Sequence, residues 1–542
     1  MNDYGNLKSG TDIRGRAIAT DGKPAVLTEK AVADIAAAFA LWICRRVDKP
    51  RRRIAIGRDS RITGEQFQKT IIATLRYAGL ELFDCGMITT PAAFLTTQHS
   101  SIVADGAIMI TASHHPMDIN GLKFFTQEGG VNSKELDEII ELANNDQKIA
   151  PTVRSTIIPR DFLRVYADSL ADTIRKGTGM FHPFRNMKIA VDAGHGAGGY
   201  FATKVLKGLG ADISPSQFLE PDGTFPAHPP NPENAEAMES LKNRVLETGA
   251  DLGIIFDADG DRCAVVTPDG TEVNRCRLIA LAAAMVLPDH PNATIVTDSV
   301  TTEALRQFIE SRGGIQKRFK RGYRNVIDEA KRLCDSGVDA PLAIESSGHV
   351  AFREHFFLDD GAYFVVKILI TLANLKKQGC ELVDLIADLD TPLEEGDIRL
   401  NFTCDDWREK AETIITRLTG LSERLLTISG DNYEGVRAYV SHGDGYFIVR
   451  TSVHDPVLPI YIESNKRGGA HKIASFLYSF LNGFTGLDCA PLEQFLDDTA
   501  VQNEYADGGE AIPEDDLFGG EAEIDGDAYE NADGDSDGAQ DF

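Results

Sequence analysis

The sequence is poor in several things at once, and each shortage closes off a class of protein. Its eight cysteines, at positions 44, 85, 263, 276, 334, 380, 404 and 489, include no Cys-x-x-Cys pair and no histidine-rich companion spacing. That excludes a disulfide framework and a zinc-finger type of site. Long hydrophobic runs are missing: "LIALAAAMVL" at 278–287 falls well short of the roughly 20 residues a membrane span requires. The first residues, "MNDYGNLKSGTDIRG", lack the charged and then apolar stretch of a secretory leader. A cytoplasmic protein with no membrane partner is expected. Basic residues are also scarce, 55 Lys and Arg against 83 Asp and Glu, for a net charge of -28. Residues 504–542 hold fifteen Asp or Glu and no Lys or Arg, which leaves -13 for the rest of the chain. An acidic body of this kind excludes nucleic acid as the expected partner.

The acidic end is rich in Gly and Asp and too poor in apolar residues to offset its ordering entropy, so 496–542 is expected to be disordered. A basic protein is the kind of partner such a tail suits. Asp533, Asp535, Asp537 and Gly538 imitate the start of an EF-hand, but the chain stops at Phe542, before the twelfth-position Glu that such a loop needs.

What remains is an ordinary globular composition, 42% hydrophobic and 25% charged over 542 residues, enough for several cores. Three segments share one layout of apolar run, Gly/Asp/Ser turn and helical stretch: "RIAIGRDSRITGEQFQKTIIATLRYAG" from Arg53, "KIAVDAGHGAGGYFATKVLKGLG" from Lys188 and "TIVTDSVTTEALRQFIESRGG" from Thr294. Gly79, Gly210 and Gly313 stand where left-handed caps are expected. Each is followed by a further apolar run, "DGAIMI", "ADLGIIF" and "APLAI", and then by a polar loop: "TASHHP" (111–116), "DADGDR" (257–262) and "ESSGH" (345–349). Ligands of open α/β sheets collect at the carboxyl ends of strands, so three equivalent strand ends predict one composite cleft. After residue 392 the pattern changes to a meander, "YEGVRAYVSHGDGYFIVRTSVHDPVLPIYIES", flanked by helical stretches, as in a small α+β domain. The expected division is 1–158, 159–272, 273–392, 393–495 and the tail 496–542.

The loops carry the chemistry. Asp257, Asp259 and Asp261 follow a buried run at alternate positions; three crowded carboxylates require a cation, and a hard divalent ion, Mg²⁺ more naturally than Ca²⁺, fits oxygen ligands. An EF-hand is disfavoured because Arg262 stands where Gly is needed. Ser113, just past a strand, reads either as a turn serine or as a nucleophilic hydroxyl; it lacks a G-x-S-x-G elbow. Lys123 is a candidate proton carrier or phosphate partner. Glu345, Ser347 and His349 can exchange hydrogen bonds with vicinal sugar hydroxyls. Arg450 and Ser452 in "RTSVHDP" can hold a phosphate.

Taken in order, "TDIRG" (11–15), "IGRDSRITG" (56–64), "TASHHPMDINGLKFF" (111–125), "PDGTFPAHPPNPE" (221–233), "DADGDR", "ESSGH" and "RTSVHDP" resemble the α-D-phosphohexomutase superfamily. The resemblance implies three similar α/β domains around a central cleft plus a C-terminal α+β domain like the TATA-binding-protein fold. It implies a mutase interconverting hexose 1-phosphates and 6-phosphates, mannose or glucose foremost, through a phosphoserine and a hexose 1,6-bisphosphate. Ser113 would be that phosphoserine, its phosphate sharing Mg²⁺ with Asp257, Asp259 and Asp261. Arg262 would lie beside it. Glu345 and Ser347 would bind sugar hydroxyls, Arg450 and Ser452 the phosphate that stays in place. Arg14, Lys123 and His349 would support proton transfer.

The sequence departs from the family pattern at His115, Ile344, His454 and Asp455, none of them a proposed metal ligand. Two rival readings stand beside the resemblance. "GIIFDADGD" also matches the strand and Asp-x-Asp-Gly turn of a haloacid-dehalogenase-type phosphatase, with Asp257 as nucleophile, although Asp261 stands where that family has Thr or Val. A non-catalytic sugar-phosphate-binding scaffold is the other.

Overall fold

The computed structural model describes residues 3–20, 22–421, 426–440, 445–452 and 456–506. They form two compact units, one of residues 1–391 with 431–434, the other of 392–430 with the residues from 435 on.

The first unit repeats one plan in three sheets. In the first, the strand Arg53–Arg58 runs parallel to Gly106–Ile110, which turns back antiparallel into Ile119–Thr126. In the second, Ile189–Asp192 is parallel to Leu252–Phe256, which returns as Cys263–Val266. In the third, Thr294–Asp298 is parallel to Leu342–Ile344, which returns as Val350–Phe352. Gly106–Ile110, Leu252–Phe256 and Leu342–Ile344 are buried throughout. That burial is why these strands are apolar at successive rather than alternate positions. The polar loops 111–118, 257–262 and 345–349 are the three turns between those strands and their returns, so the sequence repeat is a structural one. The expected caps hold: Gly79, Gly210 and Gly313 have φ of +71°, +91° and +75°.

Two details differ from the sequence pattern. The stretch after Lys188 is not an α-helix but a 3-10 turn Ala197–Gly199, a π-helical segment Phe201–Leu206 and a second 3-10 turn Lys207–Leu209. Its glycines permit backbone contact that a side chain would block: a Cβ on Gly196 would lie 2.6 Å from the Ala258 carbonyl oxygen, and one on Gly199 2.1 Å from that of Leu219. The first sheet also reaches past the expected boundary at 158, because Thr156–Pro159 pairs in parallel with Glu81–Met87.

The second unit is an antiparallel sheet ordered Leu426–Ile428, Gly435–Val440, Gly445–Arg450, Val457–Ser464, Glu394–Phe402, Leu487–Asp488. The Glu394–Phe402 strand alternates exposed and buried positions, and the buried face, with Ile398, Leu400 and Phe402, shares a core with Trp407, Ile473, Leu477 and Leu492. The helix Ala490–Ala506 runs through the expected start of the tail at 496. It persists because Leu492, Phe495 and Leu496 pack on that core. The remainder of the expected disordered tail lies outside the described residues. Among the described residues, no helix is long and apolar enough to cross a membrane, and all eight cysteines are free thiols.

Candidate active site

The serine loop is built around a buried arginine. Ser113 is only 2% exposed and has φ +52°, a left-handed conformation that costs a non-glycine residue on the order of 1 kcal/mol or more and needs surrounding structure to enforce it. Arg61 supplies the enforcement. Its guanidinium donates to the carbonyls of Ser113, His115, Pro116 (2.8 Å) and Ile119 (2.7 Å), while its Nε lies 3.2 Å from Asp59 Oδ2. Asp59 also accepts from Thr111 Oγ1 at 2.7 Å, and Thr111 Oγ1 accepts from the Ser113 amide. Burial pushes the Asp59 carboxyl up to about 6 even with Arg61 beside it. Ser113 Oγ lies 3.4 Å from His114 Nδ1; burial and then the charge of Arg262 keep that imidazole neutral.

The aspartate loop meets this serine directly. Ser113 Oγ donates to Asp257 Oδ2 at 2.7 Å. Asp257, Asp259 and Asp261 are all fully buried, and each brings a carboxylate oxygen to within 4.8 Å of the others. Arg262 Nε donates to Asp257 Oδ2 at 3.0 Å, Thr90 Oγ1 to Asp259 Oδ2 at 2.5 Å, and Lys123 Nζ to Asp261 Oδ2 at 2.5 Å. Two oxygens are left over: Asp259 Oδ1 and Asp261 Oδ1 are buried without a hydrogen-bond partner. The crowding divides the carboxylates. Burial and the charges of Asp261 and Asp259 raise Asp257 well above the usual range. Asp261 is held below it, against its burial, by Lys123, His349 and Arg262. Unsatisfied buried acceptors and mutually repelling carboxylates are both relieved by a hard divalent cation, and this donor set fits one.

The third loop completes the cluster. Arg262 and His349 form an antiparallel bridge, and His349 Nδ1 contacts Asp359 Oδ2 at 2.6 Å. Burial opposes a charge on His349, but Asp359 and Asp261 outweigh it and raise the imidazole to about 9. The ring stacks on Tyr323 at 5.2 Å between centroids, and the same Tyr323 ring lies 5.5 Å from Lys123 Nζ. Glu345 is buried, accepting from the Gly322 amide and, at 3.3 Å, from Ser347 Oγ. Burial and then Asp298 push its carboxyl up to about 7, with His349 and Arg321 pulling the other way. Ser346, between them in sequence, faces away, its Oγ donating to Asp298 Oδ2 at 2.6 Å.

Models of the phosphoglucomutase/phosphomannomutase α/β/α domains I, II and III match residues 6–150, 165–270 and 276–389. A phosphoglucomutase of Neisseria gonorrhoeae is 30% identical over 468 residues, covering 85% of this chain and 94% of the relative. The chain belongs to the phosphoglucomutase/phosphomannomutase family, within the α-D-phosphohexomutase superfamily. A phosphomannomutase/phosphoglucomutase of Pseudomonas putida is likewise 30% identical, over 80% of this chain and 89% of its own. A crystal structure of a family protein from Burkholderia thailandensis superposes with a TM-score of 0.72 at 26% identity, covering 87% of this chain and 96% of that one. Membership of this family sets aside the haloacid-dehalogenase reading.

Seven of the site residues expected from sequence, Ser113, Lys123, Asp257, Asp259, Asp261, Arg262 and His349, thus lie in one connected cluster, with Glu345 and Ser347 on the adjoining loop. Arg14 pairs with Asp12 at 3.0 Å on a strand next to Ile119–Thr126. Arg450 and Ser452 belong to the second unit, at the end of Gly445–Arg450 and just past it; His454 and Asp455 lie outside the described residues. Sequence reading missed Arg61, Asp59, Asp359 and Tyr323. Arg61 and Asp59 stood in "IGRDSRITG", where a charged pair beside a buried strand was the available signal.

Proposed function

We propose that this protein is a phosphohexomutase acting on hexose phosphates, glucose and mannose foremost, through phosphorylated Ser113 and a hexose 1,6-bisphosphate intermediate. The observation that carries the reading is Ser113 Oγ 2.7 Å from Asp257 Oδ2, inside a trio of buried aspartates with unsatisfied oxygens. Asp257, Asp259 and Asp261 would hold Mg²⁺ together with a Ser113 phosphate oxygen. The ion, when bound, neutralises charge on the phosphoryl group being transferred.

The chain's own side chains do the rest. The Ser113 Oγ–P bond breaks as the free sugar hydroxyl bonds to phosphorus; Oγ takes up one proton and the sugar hydroxyl releases one. Lys123 and His349, both held cationic by neighbouring carboxylates against their burial, would give the first and then accept the second, with Arg14 in support. Arg262 braces Asp257 beside the phosphoryl group. Glu345 and Ser347 orient the sugar, and Arg450 and Ser452 hold the phosphate that is not being transferred. The second half-reaction repeats the step in reverse with the other phosphate of the bisphosphate. Positioning and charge neutralisation, rather than covalent novelty, supply the acceleration.

The test is turnover with Mg²⁺ of glucose, mannose, glucosamine and N-acetylglucosamine 1-phosphates by the wild type and by Ser113→Ala. The wild type should also carry an acid-stable phosphate ester on the Ser113 peptide, and Ser113→Ala should show neither label nor turnover. Binding without turnover, even with added bisphosphate, would favour a sugar-phosphate-binding scaffold instead.

A further inference from the structure

Arg321 belongs to none of the motifs above, yet it lies between two of the loops they form. The amide of the next residue, Gly322, donates to Glu345 Oε1, so the segment carrying Arg321 rests on the sugar-loop carboxylate. At its other end, Arg321 Nη2 reaches Glu233 Oε1 at 3.4 Å, and Glu233 Oε2 lies 3.4 Å from Arg262 Nη1. Arg262 in turn binds Asp257, the partner of Ser113. A chain of contacts thus runs from Glu345 through the segment of Arg321, Glu233 and Arg262 to Asp257 and Ser113. The Arg321 side chain is still 32% exposed, and that long contact to Glu233 is its only side-chain hydrogen bond among the described residues. A guanidinium has five N–H donors, so a single such bond leaves capacity for a ligand.

The charges around it say what that space suits. Four carboxylates, Asp298, Glu233, Glu345 and Glu434, act electrostatically on this one guanidinium. Such a ring repels a phosphate and suits the neutral body of a sugar, whose hydroxyls both donate to carboxylates and accept from a guanidinium.

Building on the mutase reading above, we propose that Arg321 is a substrate-binding residue that donates to a ring hydroxyl of the hexose phosphate, opposite Glu345, and helps to select the sugar. It gives up the weak contact to Glu233 for that hydroxyl. Because the contact holds the sugar equally before and during phosphoryl transfer, its loss acts on binding rather than on chemistry.

Steady-state kinetics of Arg321→Met and Arg321→Lys on glucose, mannose and glucosamine 1-phosphates, beside the wild type, test this. In Arg321→Met, KM should rise about tenfold to a hundredfold, as expected for a lost charge-assisted hydrogen bond. The rise should differ between sugars, kcat should stay within about threefold, and phosphate on Ser113 at saturating glucose 1,6-bisphosphate should be unchanged. Arg321→Lys should recover part of the KM, since it keeps the charge without the fork. KM values within twofold of wild type for every sugar, or an equal fall in kcat for all of them at unchanged KM, would overturn the assignment. If Arg321→Met fails to fold, Arg321→Lys decides alone, by a KM at least about threefold above wild type or one indistinguishable from it. A wild type that turns over no hexose phosphate sinks the mutase reading. A wild type that does, with unaltered variants, sinks only the role of Arg321.

Discussion

At the scale of single residues, the site depends on ionisable groups held away from their ordinary behaviour. Glu345, raised to about 7 by burial and by Asp298, binds its proton more tightly folded than unfolded. Its contribution to stability is therefore complete below the unfolded value near 4.5 and declines as pH rises through about 7. Glu345→Gln should remove that decline. Melting temperatures of the two proteins, compared between pH 5 and 8, should show the wild type losing ground to the variant as pH rises; parallel curves would contradict the assignment. Arg61 gives a larger effect. Arg61→Met would leave Asp59 buried without its partner and four loop carbonyls without a donor, a loss of about 3–5 kcal/mol for a broken buried pair, measurable by urea unfolding. Turnover should fall with it, because the left-handed Ser113 would lose what holds it.

At the scale of elements, the active loops are turns between strands, and their shapes are set by close backbone approaches. Gly196 packs on Ala258, within the aspartate loop, at a distance no Cβ tolerates. Gly196→Ala should cost about 1–3 kcal/mol through overpacking and should weaken half-activation by Mg²⁺, read from a titration of turnover, before it unfolds the protein. Here the sequence pattern both succeeded and failed. Apolar runs ending in polar loops located all three strand ends, because parallel strands covered on both faces must be apolar throughout. The same pattern predicted an ordinary helix after Lys188, where the glycines serve close packing and the backbone winds as 3-10 and π turns.

At the scale of the whole molecule, truncation tests the tail and Mg²⁺ tests the aspartate trio. A chain ending at Ala506 keeps every site residue and the helix that packs on the second sheet core, so its turnover should stay within about twofold of the full chain. A large loss would assign the acidic segment a role in catalysis. Mg²⁺ should raise the melting temperature of the whole protein, since a ligand bound only by the folded state stabilises it by mass action. The rise should be lost in Asp259→Asn, which replaces a carboxylate oxygen of the aspartate trio by an amide nitrogen.

The sequence by itself determined the class of fold, the three strand ends and the residue types at each, because burial periodicity and the company of Asp, Ser, Lys and His are local properties of the chain. Only the tertiary structure decided which of them meet. Ser113 and Asp257 are 144 residues apart yet 2.7 Å from contact to contact, and Lys123 reaches Asp261 across 138 residues. Such pairings arise from how three sheets pack. So do the roles of Arg61, Asp359 and Arg321: an arginine reads as a solvated surface charge in sequence until the carbonyls and carboxylates around it are known.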